Sequence, residues 1–123
     1  SRSVSLSSAR VGVLGLTFKP NVPDIRNSKV PDILAELREY GVEPLISDPL
    51  ASAEEALHEY TLDLSPDVDV RDLDALVLAV DHEAYVSAPD TLLARLKPKG
   101  VLIDVKSALD PALVGPDQVY WSL

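Results

Sequence analysis

Three apolar runs, Val11–Leu16, Ala75–Val80 and Val101–Val105, the last interrupted only by Asp104, constrain this chain more than anything else in it. Each is four to eight residues long and has no polar alternation, as a strand covered on both faces requires. Between them lie segments with helical periodicity. Val30, Ile33, Leu34, Leu37 and Tyr40 recur at i, i+3, i+4, i+7 and i+10, one stripe of a helix. Ser28 is placed to cap that helix, Pro31 fits its first turn and Gly41 ends it. Leu45–Ser47 reads as a second short strand ended by Asp48-Pro49, and Ser52-Ala-Glu-Glu55 is a capping box opening a helix to about Tyr60. Leu62–Leu64 reads as a short strand or an extended connection, and Val68–Leu73 as a helical turn. Pro89–Leu96 reads as a helix ended by Lys97-Pro-Lys-Gly100, and Val119–Trp121 as a weak edge strand. Strands joined by crossover helices pair in parallel. The expected fold is therefore α/β: a Rossmann-like, doubly wound, mainly parallel sheet of five to six strands with helices on both faces.

With 123 residues the chain suits a single domain. Its net charge of −9 argues against a nucleic-acid partner, because a polyanionic backbone would be repelled. The apolar runs are far too short to span a bilayer, and the first ten residues are polar and Ser-rich, unlike a signal peptide. There is no Cys, so no disulfide, thiolate metal site or thiol nucleophile exists in this sequence. His58 and His82 are too far apart to suggest a local metal motif, and no metal is expected. Met is absent even at position 1, which points to an excised piece of a longer protein, although removal of an initiator Met gives the same terminus. Residues 1–9 read as a linker or tag remnant and 10–123 as the domain proper.

Against this acidic background, residues 17–30 hold Lys19, Arg26 and Lys29 with one acid, Asp24. They follow the first strand, where ligands gather in open parallel sheets. A bound anion and a solvated loop with Asp24 paired to Arg26 both fit this pattern. Gly12 and Gly15 are spaced G-x-x-G and are separated from the helix by about a dozen residues and two prolines, Pro20 and Pro23. That departs from a dinucleotide turn; the glycines then serve close strand–helix packing. Asp48 stands where a ribose-binding acid would, but too far beyond the glycines. Asp104-Val-Lys106 closes the strand Val101–Val105, so Lys106 either borders the same crevice as Lys19 or faces water. His82, between Asp81 and Glu83, reads as a strand-end residue at a turn, there being no nucleophile beside it; His58 reads as surface.

The run GLTFKPNVPDIRNSKVPDI strongly resembles the start of the C-terminal domain of the nucleotide-sugar dehydrogenases that act on UDP-glucose and GDP-mannose. The resemblance extends through ISDP, LVLAVDHEAY and VLIDVKS and covers about residues 9–123. Within it, NVPDIRNS is most similar to the branch that oxidises UDP-N-acetylhexosamines at C6. The resemblance implies an enzyme with an NAD-binding Rossmann domain, a central dimerising helical region and a C-terminal domain holding the UDP-sugar. It implies oxidation of an alcohol to a carboxylate by two hydride transfers to NAD, through a Cys-bound thiohemiacetal and thioester. This chain has no Cys, so it is expected to be inactive alone, within a cytoplasmic homo-oligomer. Phe18 and Lys19 match the family's Phe-Lys pair, implied to contact the UDP-sugar. Arg26 matches the Arg of a D-x-R segment, implied to reach the cofactor side, with Asp24 orienting it or the loop. Lys106 matches a basic residue near the nucleotide-sugar. Ser122 stands where the family often has Arg, so any contact of that Arg is in doubt. The alternative is a standalone nucleotide-binding or regulatory module without activity.

Overall fold

A computed structural model describes residues 8–123; most of the expected N-terminal linker, residues 1–7, lies outside the described residues. Among the described residues, five strands form one sheet in the order β2-β1-β3-β4-β5, with every neighbouring pair parallel. The strands are β1 Val11–Leu14, β2 Leu45–Ser47, β3 Leu73–Leu78, β4 Leu96–Asp104 and β5 Val119–Ser122. Helices α1 Val30–Glu39 and α2 Ala53–Tyr60 lie in the connections around β2, and α3 Glu83–Val86 and α4 Pro89–Leu93 lie between β3 and β4.

Side chains along the strands alternate between two cores. Val11 and Val13 of β1 join Val77, Val30 and Leu34 of α1 and Ala56 of α2 on one face. Leu14 joins Leu76, Leu78, Leu102, Tyr85 of α3 and Leu92 of α4 on the other. Helices therefore cover both faces, and the doubly wound expectation holds. Leu14, Leu76, Leu78 and Leu102 are fully buried, each worth about 1.5–3 kcal/mol by transfer from water.

The local signals worked as their physics requires. Ser52 Oγ accepts from Glu55 N–H at 3.2 Å, capping α2. Ser28 Oγ accepts from Val30 N–H at 3.1 Å, one residue outside the cap position, which Lys29 occupies. Gly41, at φ 85°, ends the α1 region. Tyr40 departs from its expected place on the stripe: it follows the helix and is 61% exposed.

Other boundaries differ from expectation. β1 stops at Leu14, because Gly15 turns at φ 106°. A Cβ at Gly15 would lie 2.6 Å from Cβ of Val80, and one at Gly12 would lie 2.7 Å from Val70 Cγ1. The close approach is real, but its partner is β3 and the residues flanking it rather than a helix. β3 starts earlier than expected, at Leu73, after a short 3-10 turn at Asp67–Asp69. Residues 62–64 are a connection without regular secondary structure rather than a strand. The expected Pro89–Leu96 helix is shorter, and Leu96 already belongs to β4. The reason is an irregularity: Leu73 pairs Leu96 but Ala75 pairs Val101. Lys97-Pro-Lys-Gly is the surplus chain, bulged out with Lys99 at φ 69°. β5 is an edge strand, as read from the sequence, and β2 forms the other edge.

Candidate functional site

The strand order places a topological switch between β1 and β3. From β1 the chain winds first to β2, then back past β1 to β3 and outward. The connections leaving the carboxyl ends of β1 and β3 consequently diverge, which opens a crevice there. The connection after β1 carries Phe18 and Lys19, and the one after β3 carries His82.

Beneath that crevice lies a buried polar cluster. Asp48 and His82 are 6% and 1% exposed. Asp48 Oδ2 accepts from Leu16 N–H at 2.6 Å, Thr17 N–H at 3.1 Å and His82 Nε2 at 2.9 Å, while Oδ1 accepts from Leu50 N–H at 2.8 Å. Burial works to raise the carboxyl's pKa, but the hydrogen bonds from His82, Leu16 and Leu50 more than offset it and hold Asp48 below the usual carboxylate value. The ring's other nitrogen, Nδ1, accepts from Asn21 N–H at 2.9 Å. That bond fixes the tautomer: the hydrogen sits on Nε2, pointing at Asp48. Thr17 Oγ1 lies 3.1 Å from Nε2 and donates to the Lys19 carbonyl at 3.0 Å. Asn21, in the left-handed region at φ 65°, accepts through Oδ1 from Glu83 N–H at 2.8 Å, at the start of α3. Phe18 N–H donates to the Asp24 carbonyl at 2.7 Å, closing the loop on itself.

The side chains above this cluster are free. Phe18 is 49% exposed, and Lys19 and Lys106 are exposed without a side-chain hydrogen bond or ion pair among the described residues. All strands being parallel, Lys19 and Lys106 follow carboxyl ends on the same sheet edge. Their strands, β1 and β4, flank β3 and so stand about 10 Å apart.

Arg26 is elsewhere and is occupied. Its Nε and one terminal nitrogen donate to Asp24 at 3.0 and 3.2 Å, and Arg26 N–H donates to Asp24 Oδ1 at 2.9 Å. The side-chain bond from Arg26 lowers the Asp24 pKa, and Asp24 raises that of Arg26 in return. Both border a groove of about 630 Å³ whose other wall is α2, with Glu54, Glu55, His58 and Glu59. Four carboxylates make this groove a poor seat for a diphosphate, and Phe18, Lys19 and Lys106 do not line it. Tyr60 OH donates to the Ile25 carbonyl at 2.6 Å and ties the loop to α2.

Two residues therefore change meaning. Asp48 is a buried acceptor beneath the loop rather than a ribose-binding acid. His82 is a buried bridge at the start of a helix that the sequence reading did not contain. The signal for both was limited to the words ISDP and VDH; nothing in their spacing pairs residues 34 apart.

A profile described as the UDP-glucose/GDP-mannose dehydrogenase family, UDP binding domain, matches residues 12–111. The chain is 40% identical over 110 residues to a UDP-N-acetyl-D-glucosamine 6-dehydrogenase of Pseudomonas aeruginosa, covering 89% of this chain and 26% of that protein. It is 34% identical over 122 residues to the protein CapL of Staphylococcus aureus, covering 99% of this chain and 29% of that one. Among solved structures, a UDP-N-acetyl-mannosamine dehydrogenase of S. aureus superposes with a TM-score of 0.68 at 26% identity, covering 94% of this chain and 26% of that chain. An NDP-N-acetyl-D-galactosaminuronic acid dehydrogenase of Methanosarcina mazei reaches a TM-score of 0.78 at 21% identity, which speaks to the fold alone, covering 98% and 25% respectively. The chain thus spans about a quarter of the length of the relatives it matches. The chain belongs to the UDP-glucose/GDP-mannose dehydrogenase family, of which it is the UDP binding domain.

Proposed function

We propose that this chain holds the UDP-sugar of an NAD-dependent UDP-N-acetylhexosamine 6-dehydrogenase, the full-length protein oxidising the sugar C6 alcohol to a carboxylate. The observation that carries this is the free Phe18–Lys19 pair, held over the switch point by a loop whose backbone is fixed from below. The 40% identical relative, a UDP-N-acetyl-D-glucosamine 6-dehydrogenase, supports the choice of sugar class. An unpaired ammonium beside an exposed aromatic suits a diphosphate and the flat group attached to it. In this reading Lys19 takes a phosphate oxygen, Phe18 offers an apolar face and Lys106 adds positive charge from the end of β4.

The connection after β1 does not fit a dinucleotide. Gly15 leads into an irregular loop, and α1 begins only at Val30, so no helix N-terminus stands at that turn to receive a pyrophosphate. NAD accordingly belongs to another part of the protein, with Arg26 the contact on the cofactor side and Asp24 orienting it. The same reading makes the full-length enzyme a cytoplasmic homo-oligomer and the present chain, without a Cys nucleophile, inactive alone. No helix of the described residues is long and apolar enough to cross a membrane.

Isothermal titration with UDP and UDP-N-acetylglucosamine tests the assignment. Lys19→Ala is expected to weaken binding about tenfold or more, as loss of one charge-assisted hydrogen bond implies. Unchanged affinity in that variant, or no binding by the full-length enzyme, overturns it.

A further inference from the structure

The cluster under the loop makes a stronger statement than that it is buried. Its bonds reach the loop's main chain at successive points. Asp48 accepts from Thr17 N–H, the Thr17 hydroxyl donates to the Lys19 carbonyl, and His82 Nδ1 accepts from Asn21 N–H. Asn21 in turn reaches Glu83 N–H. Phe18 and Lys19 lie inside this frame, with their own side chains outside it and free. The elements joined are the ends of β1, β2 and β3 and the start of α3, the two sides of the switch point.

We infer that Asp48, His82 and Asn21 are positioning residues that set the Phe18–Lys19 loop in its ligand-ready conformation before ligand arrives, His82 acting through the Asn21 amide. The inference rests on Phe18 and Lys19 contacting the UDP-sugar. Ordering the loop in advance removes an entropic cost that binding would otherwise bear, so a broken frame weakens affinity without removing any ligand contact. The two ring nitrogens have separable duties. Nδ1 accepts from the loop, and Nε2 donates to Asp48. Asn at position 82 keeps an acceptor near the place of Nδ1, while Gln keeps a donor near the place of Nε2.

The experiment compares His82→Gln, His82→Asn, Asn21→Gly and Lys19→Ala in this chain and in the full-length enzyme. Three readouts apply: UDP affinity by isothermal titration, hydrogen exchange of the Asn21 amide without ligand, and thermal melting. Asn21 is exposed and already has positive φ, so its glycine variant keeps the fold should the buried His variants lose it. Gln at position 82 is expected to speed Asn21 exchange and to weaken UDP binding about five- to tenfold, the scale of one hydrogen bond. Asn at that position is expected to retain most of both properties despite losing the bond to Asp48. Combined with Lys19→Ala, the Gln change is expected to cost less than the product of the two single effects, because a misplaced loop has already lost part of the lysine's contribution. The inference falls if the Gln and Asn variants lose affinity equally and in step with melting temperature, which marks a role in the fold alone. It falls also if Asn21→Gly and His82→Gln both bind like wild type while Lys19→Ala does not. Failure of Lys19→Ala to matter overturns the underlying site assignment instead, and the exchange measurement still reports whether His82 holds the loop.

Discussion

Two buried carboxylates stand at the carboxyl ends of β2 and β4, with β1 and β3 between them in the same sheet, and they are furnished differently. Asp48, after β2, accepts four hydrogen bonds, three on Oδ2 and one on Oδ1. Asp104, ending β4 and 0% exposed, accepts through Oδ2 from Leu109 N–H at 2.8 Å and Tyr120 OH at 2.7 Å, and its Oδ1 has no partner among the described residues. Burial and the adjacent Asp104 both raise the Tyr120 pKa, so the phenol keeps its proton and goes on donating. The first carboxylate ties together three strand ends and a loop. The second ties the crossover from β4 to the edge strand. Complete pairing is found where the structure must fix a loop, and incomplete pairing where it need only return the chain to an edge.

Stability measurements distinguish the two carboxylates. Asp48→Ala has the largest expected effect, about 3–4 kcal/mol in urea denaturation, since it strands a buried His and several amides at once. Asp104→Ala is expected to cost less, about 1–2 kcal/mol, because fewer donors lose their acceptor and a carboxylate with one unpaired oxygen is released from burial. Equal costs would mean that the missing bond on Asp104 has no energetic meaning. A smaller effect separates the two by pH. The Asp48 carboxyl is held below its ordinary value of 3.8 in the folded state. Its contribution is therefore fully present above that value and lost as pH falls from there through the lower folded-state pKa. The gap in urea midpoint between wild type and Asp48→Asn is expected to be constant from pH 7 to about 5 and to narrow below about 4. A gap that widens on acidification contradicts the assigned bonding.

Much of the framework could be read from the chain because its causes are local. The stripe of α1, the capping box at Ser52 and the apolar runs of β1, β3 and β4 each declare themselves within a dozen residues. The beginning of β4 did not, since Lys97-Pro-Lys-Gly has the composition of a loop and is held in the sheet by a bulge that its neighbour's register dictates. α3 was missed because four residues carry too little periodicity. Phe18, Lys19, Arg26 and Lys106 were singled out by charge and resemblance, and the structure leaves Lys19 and Lys106 free but engages Arg26 with Asp24. Asp48 and His82 were each legible as strand-end residues but not as a pair, since a hydrogen bond across 34 residues leaves no periodic trace.

Sequence separation has a further consequence for how the loop carrying Phe18 and Lys19 comes into being. Apart from the Thr17–Lys19 bond within the loop, the bonds that frame it join residues 31, 61, 62 and 65 apart. Little within residues 15–29 alone specifies the conformation, and closing such distant contacts is entropically slow. The loop can take its shape only after β1, β2 and β3 have come together. A chain emerging from the ribosome cannot complete the frame until His82 and Glu83 are out, more than sixty residues after Thr17. The shape of this loop is thus a late product of folding, and a partly folded chain does not hold Phe18 and Lys19 in place.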